Sequence, residues 1–246
     1  MSRFIIPVVL AFVFMPAGAK TETLRLATLD WEPYVGRQLE NKGFTAEIVT
    51  ESFKRAGYQV EIVFLPWGTA IEEARKGTCD GVFPEYYSGE RARDFFYTSF
   101  FSQSRLAFYR RSSAAVTYRT LKDLSPYRIG VVTGSIISDE FDSAVFLNKV
   151  EAAGDEENLR KLVKGEVDLI VMDKLVARHL MTARVPEAAG RISAFDPPLA
   201  IHDLFVILPR NIPASAKRAR QFTKALRSME EDGTVKAIMS RSGLME

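Results

Sequence analysis

The sequence predicts an α/β protein of two similar lobes joined by a two-stranded hinge, and three observations carry that prediction. Strand-like apolar runs alternate with helix-like segments along most of the chain, the order that builds parallel sheets from βαβ units. The pattern K-G-x-x-D occurs twice, at Lys76-Gly77-Thr78-Cys79-Asp80 and at Lys164-Gly165-Glu166-Val167-Asp168, each time between a helical stripe and an apolar strand. Two long extended segments, SQSRLAFYRRSS and DLFVILPRNIP, flank the second block, so the chain crosses between lobes twice.

Taken in order, TLRLATLDW reads as a strand and GFTAEIVTESFKRAG as a helix stopped at Gly57. YQVEIVFLPW, rich in β-branched residues, is a second strand. In TAIEEARKG the apolar residues Ala70, Ile71 and Ala74 recur at helical spacing before Gly77, and Gly81-Val82-Phe83 begins a third strand. The second lobe repeats this layout. YRIGVVTGS is a strand entering a glycine turn, NLRKLVKG a helix ending at Gly165, VDLIVMD a strand and KLVARHLM a helix. PASAKRARQFTKALRSMEEDG is a long amphipathic helix with Ala219, Phe222, Ala225, Leu226 and Met229 on one face. The expected division is a leader over residues 1–19, one lobe from 20–109 and 205–246, and the other from 110–204.

Arg3 followed by an apolar run from Phe4 to Met15 and by Ala17-Gly18-Ala19 has the form of a cleaved secretory signal. The run is shorter than the roughly 20 residues that span a bilayer. No cysteine follows the cleavage site, so no lipid anchor is expected. Cys79 is the only cysteine, which excludes an internal disulfide and points to a buried structural thiol. With 33 basic against 31 acidic residues, the chain lacks the basic excess that nucleic-acid binding requires. A small-molecule ligand and a monomer are the expectation. The two histidines, His179 and His202, suggest neither a metal cluster nor a nucleophile pair, and no phosphate-binding or dinucleotide motif occurs. No cofactor or metal is expected.

Ligands of open α/β sheets bind beyond the carboxyl ends of the strands. The residues there are Asp30-Trp31-Glu32, Pro66-Trp67, the stretch from Pro84 to Arg91, Thr133-Gly134-Ser135-Ile136 and Asp173. Trp31 and Trp67 offer flat faces for stacking. Arg91 offers a forked donor for a carboxylate, and Gly134-Ser135, read as opening a helix, offers backbone N–H groups to the same anion. Asp173 has two readings, as the acceptor of an ammonium or as the N-cap of the helix that follows it.

These residues resemble, in order and over nearly the whole mature chain, the periplasmic solute-binding proteins of the amino-acid ABC-transporter type, bacterial extracellular solute-binding protein family 3. The similar segments include GFTAEIVTESFKRAG, EEARKGTCDGVFPEYYSGERARDFFYTSFF, GVVTGS, KGEVDLIVMD and ALRSMEEDGTVKAIMSRSG. The resemblance implies the type II periplasmic-binding-protein fold. It also implies a periplasmic location, and an ABC permease or membrane sensor as partner. By the family pattern Arg91 meets the ligand α-carboxylate, Asp173 its α-amino group, and Trp31 and Trp67 enclose it. The sequence departs from that pattern in three places. The spacing from Asp80 to Arg91 is about one residue short, Pro84, Glu85 and Tyr86 replace small residues, and Ile136 replaces a threonine. Glu85, Tyr86 and Ile136 are therefore added to the expected ligand contacts, and the ligand is left as a small zwitterion or carboxylate.

Two other functions fit the same scaffold. Asp30, Glu32 and Glu85 provide acids for an enzyme similar to the periplasmic cyclohexadienyl dehydratases, since an acid in an aromatic pocket can donate a proton near neutral pH. A ligand-sensing receptor module is the third reading, against which stands the end of the chain at Glu246 without a spanning segment. Binding without catalysis is the expectation.

Overall fold

Strand β1 (Glu22–Thr28) turns Leu24, Leu26 and Ala27 wholly into the interior. The computed structural model describes residues 21–242, so the secretory signal expected over residues 1–19 lies outside the described residues. Helix α1 (Phe44–Arg55) buries Phe44, Ile48, Val49 and Phe53 along one stripe. It leads to β2 (Tyr58–Phe64), α2 (Trp67–Lys76) and β3 (Gly81–Glu85), and β3 is buried at every position. The short helix α3 (Arg91–Asp94) and strand β4 (Phe95–Tyr97) follow, then the long strand β5 (Ser102–Arg111).

The second lobe comprises β6 (Arg128–Val132), α4 (Asp139–Ser143), β7 (Asn148–Ala152), α5 (Asp155–Lys164), β8 (Leu169–Asp173), α6 (Lys174–Ala183) and β9 (Ile192–Ala194). Strand β10 (Ala200–Pro209) returns to the first lobe, which α7 (Ser215–Glu231) and α8 (Thr234–Arg241) complete. The strand order β2-β1-β3-β10-β5-β8-β6-β7 is symmetric about its centre. On each side a parallel trio ends against a long antiparallel strand.

The two long strands carry the hinge. Residues 102–106 of β5 pair with residues 204–200 of β10, and from Leu106 onward β5 pairs with β8 instead. Beyond Leu204, β10 pairs with β3 and β4. These two strands are thus the covalent link around which one lobe can rotate against the other.

The two K-G-x-x-D stretches fold alike. Gly77 (φ 81°) and Gly165 (φ 79°) close α2 and α5 in the left-handed conformation that a Cβ disfavours. Asp80 then accepts the Arg25 backbone N–H at 2.9 Å, and Asp168 accepts that of Arg128 at 2.9 Å. Each aspartate so fastens one strand, at the middle of β1 and at the start of β6, to the turn before its neighbour. Cys79 is buried, as expected, and burial pushes its thiol up from the ordinary value.

The α7 face expected from the sequence is the one buried. Phe222 meets Phe53 of α1 at 4.9 Å between ring centroids, and neither ring is exposed. Truncating either to alanine is the kind of change that costs about 3–5 kcal/mol. Among the described residues no helix is long and apolar enough to cross a membrane, and no cluster of His, Cys, Asp or Glu could hold a metal ion.

Candidate ligand-binding site

The carboxyl ends of β1, β3, β6 and β8 converge on a cleft of about 590 Å³ between the lobes. Trp31, Trp67, Glu85, Tyr86 and Arg91 line it from the first lobe, and Ser135, Ile136 and Asp173 from the second. Gly134 does not line it; its φ of 73° shapes the turn that brings Ser135 and Ile136 there.

A tight turn after β1 presents Trp31, whose ring lies on Tyr34 at 4.2 Å and 10° between planes. Trp67 opens α2, and the Arg91 guanidinium carbon sits 5.9 Å from its ring centre. That stacking and the start of α3 hold Arg91 at the edge of the cleft, 16% exposed along its side chain. Its Nη1 bonds Oε2 of Glu85, which is 2% exposed, while Glu85 Oε1 accepts the Tyr86 backbone N–H at 2.8 Å. Burial pushes the Glu85 carboxyl up to about 7, against the pull of Arg91. Nη2 and Nε of Arg91 have no partner among the described residues, which leaves one edge of the fork for an incoming anion.

Asp173 is differently placed. Its Oδ1 accepts the N–H groups of Leu175 (2.7 Å) and Val176 (3.0 Å), the N-cap of α6. Its Oδ2 accepts from Tyr34 Oη (3.0 Å), Ser104 Oγ (2.7 Å) and the Arg105 backbone N–H (2.8 Å). Tyr86 Oη joins the same chain at Ser104, 2.7 Å away. One buried carboxylate therefore ties its own helix, the hinge strand and the first lobe together. Burial, and after it the charge of Asp173, raises the Tyr34 hydroxyl well above its ordinary value.

The stretch after β6 differs from the sequence expectation. Gly134-Ser135 does not open a helix. Ser135 N–H and Oγ both bond Val132 O, and α4 starts only at Asp139, capped by Ser138, which accepts the Phe141 N–H at 3.1 Å. The Ile137 N–H goes to Asp142, and the N–H of Ile136, a residue that lines the cleft, has no partner among the described residues.

Sequence reasoning missed Asp155, which enters the cleft from the second lobe at the first position of α5. It lines the same cleft as Trp31, and its carboxylate has no hydrogen-bond partner among the described residues. Burial, and next the charge of Asp173, push its carboxyl up to about 7. The strand-end rule could have found it, but β7 (NKVEA) is a half-exposed edge strand without a recognisable apolar run.

Two of the acids singled out in the sequence are occupied elsewhere. Asp30 lines the rim and bonds Arg37 at 2.6 Å. Glu32 lies outside the cleft lining and reaches lobe two, 2.9 Å from His179 Nε2 and 3.3 Å from Arg184. Gly36 makes room for it, since a Cβ there would stand 2.6 Å from Glu32 Cγ.

The sequence pattern of the bacterial extracellular solute-binding proteins, family 3, matches residues 24–243. The chain belongs to this family. The fold agrees. The Nostoc punctiforme GluR0 ligand-binding core in complex with L-glutamate superimposes with a TM-score of 0.76 at 19% identity, over 90% of this chain and 100% of that one. A histidine kinase sensor domain with similarity to periplasmic binding proteins gives 0.78 at 17%, over 89% and 95%. The ancestral amino-acid-binding protein AncCDT-1, a precursor of cyclohexadienyl dehydratase, gives 0.71 at 19%, over 89% and 94%. A comparison with curated protein sequences gives no match. The expected type II periplasmic-binding-protein fold is thus the observed one, and at these identities the likenesses speak for fold alone.

Proposed function

We propose that this family member is a periplasmic receptor that captures a small zwitterion, an amino acid or a close analogue, by closing its two lobes over it. An ABC permease or a membrane sensor would then receive the loaded form, and the residues 1–19 would direct export. The carrying observation is the half-used guanidinium of Arg91 at the edge of a cleft between indole rings. A cleft of about 590 Å³ is within the range of roughly 300–1,000 Å³ typical of small-molecule sites. In this reading a ligand carboxylate takes the free edge of Arg91 and the Ile136 amide, and Trp31 and Trp67 wall the ligand.

Thermal unfolding of the purified protein with each of the twenty standard L-amino acids tests this. A ligand at 100 times its dissociation constant adds about 2.7 kcal/mol of stability. A reproducible rise in midpoint with at least one, confirmed by calorimetry as one site per chain, is the expected result. A flat panel contradicts the reading.

One observation favours catalysis as a second reading. The Glu85 carboxyl, held near 7 in the cleft, can exchange a proton at neutral pH. Turnover of cyclic carboxylic acids by the purified protein, lost in Glu85→Gln, would establish it. The absence of product would remove it.

A further inference from the structure

We propose that Asp155, and not Asp173, is the acid that receives the cationic group of the ligand. The inference rests on the zwitterion reading above and assigns a residue within it.

The argument is one of acceptor capacity. A carboxylate offers about four lone-pair positions. Asp173 already meets five donors, three of them backbone N–H groups that cannot turn away. Even with the Tyr34 hydroxyl turned to the Gln103 carbonyl at 3.2 Å and the Ser104 hydroxyl turned to Tyr86 Oη at 2.7 Å, three backbone donors remain. An arriving ammonium would find at most one lone pair on it, and only after two buried hydroxyls had turned away. Asp173 is therefore a positioning residue that joins helix, hinge and first lobe.

Asp155 has the opposite inventory. It lines the same cleft, and its carboxylate has no hydrogen-bond partner among the described residues. Its acceptor capacity is open. Its surroundings also call for a cation, because burial and the neighbouring Asp173 both disfavour its charged form. A ligand ammonium would offset both effects. The Arg91 fork lines the first-lobe side of the same cavity, so the two ends of a zwitterion would engage one lobe each.

The test compares the tightest-binding of the twenty standard L-amino acids with its 2-hydroxy analogue, which keeps the carboxylate and side chain and lacks the ammonium. Wild type is expected to prefer the amino acid by about tenfold or more, the worth of one charge-assisted hydrogen bond. Asp155→Asn should reduce that preference to about twofold or less by weakening amino-acid binding alone. Asp173→Asn should lower the unfolding midpoint and leave the preference in place. Unfolding curves of both variants separate loss of fold from loss of contact, and the Asp155→Asn result decides even where Asp173→Asn does not fold. A preference retained in Asp155→Asn overturns the assignment while leaving the receptor reading intact. Failure of all twenty amino acids to bind wild type overturns the receptor reading itself.

Discussion

The two lobes are built by the same local rules, yet they present opposite chemistry to the cleft. Each has a parallel trio of strands, a glycine-stopped helix, and an aspartate that fastens the next turn to an earlier strand. What differs is the strand ends. The first lobe supplies both indoles and Arg91, the second supplies Asp155 and a turn with a free amide. The framework is repeated because it solves a packing problem common to both halves. The strand ends diverge where they line the cleft, although Trp31, Trp67 and Tyr86 also pack against the lobe cores.

The sharpest way to break the comparison is at the cationic side. Arg91→Ala should weaken binding of whichever amino acid binds by roughly 2–5 kcal/mol, about 30-fold to several thousandfold, since the ligand carboxylate would be enclosed without its partner. Calorimetry showing undiminished affinity would remove Arg91 from the site.

Both lobes should respond to pH in one shared window, and the second lobe in a further, more acidic one. Glu85 is held up near 7 by burial, so between its ordinary 4.5 and about 7 the folded chain keeps a proton that the unfolded chain has released. Stability of the free protein therefore falls as pH rises through that window, by roughly 3 kcal/mol from this group. Asp155 acts in the same direction from the second lobe, between its ordinary 3.8 and about 7. Asp168 acts in the other. Its bond to Arg128 lowers its pKa, so its contribution is present above the ordinary 3.8 and is lost as pH falls below it. Urea unfolding at pH 5 and pH 8 should show a difference that Glu85→Gln reduces. An unchanged difference would mean that Glu85 does not titrate in this window.

The framework was legible in the sequence, and the chemistry of the cleft only partly so. Glycine stops at 77 and 165, apolar strands and the α7 stripe are local signals, and the structure follows them. The hinge strands were visible as extended segments because β-branched and aromatic residues recur through them. The edge strand β7 was not, because its exposed Asn148 and Glu151 and half-buried Lys149 interrupt any periodicity, and Asp155 went unseen with it. The helix start after β6 was placed too early, on Gly134-Ser135. The effective signal was the side-chain cap Ser138. That Asp173 meets donors from residues 34, 104 and 105 is a long-range fact with no local trace in the sequence.

The paired aspartates allow a smaller, matched test. Asp80 holds Arg218, whose side chain is 7% exposed, whereas Asp168 holds Arg128, which is 45% exposed. Removing Asp80 leaves the buried Arg218 with the Glu22 carboxylate alone, while the exposed Arg128 recovers water. Asp80→Ala should cost about 2 kcal/mol and Asp168→Ala about 1 kcal/mol in urea unfolding. Equal losses would show that fastening the earlier strand, which both perform, outweighs the arginine each one holds.

The smallest expected effect is the most symmetric. Gly77 and Gly165 occupy nearly the same left-handed conformation, and an added Cβ meets only atoms at ordinary van der Waals distance, 3.7 Å at the nearest in both. Space does not distinguish them, so the cost of Gly77→Ala or Gly165→Ala is backbone conformation alone, about 1 kcal/mol each. Two equal losses would mark the turns as interchangeable parts of one framework. A larger loss at Gly77 would locate added strain in the contact with Ile212, the residue nearest to that Cβ, whereas Gly165 faces the movable end of Arg111. Unequal costs would then show that the lobes differ in how firmly each repeated turn is held by what packs over it.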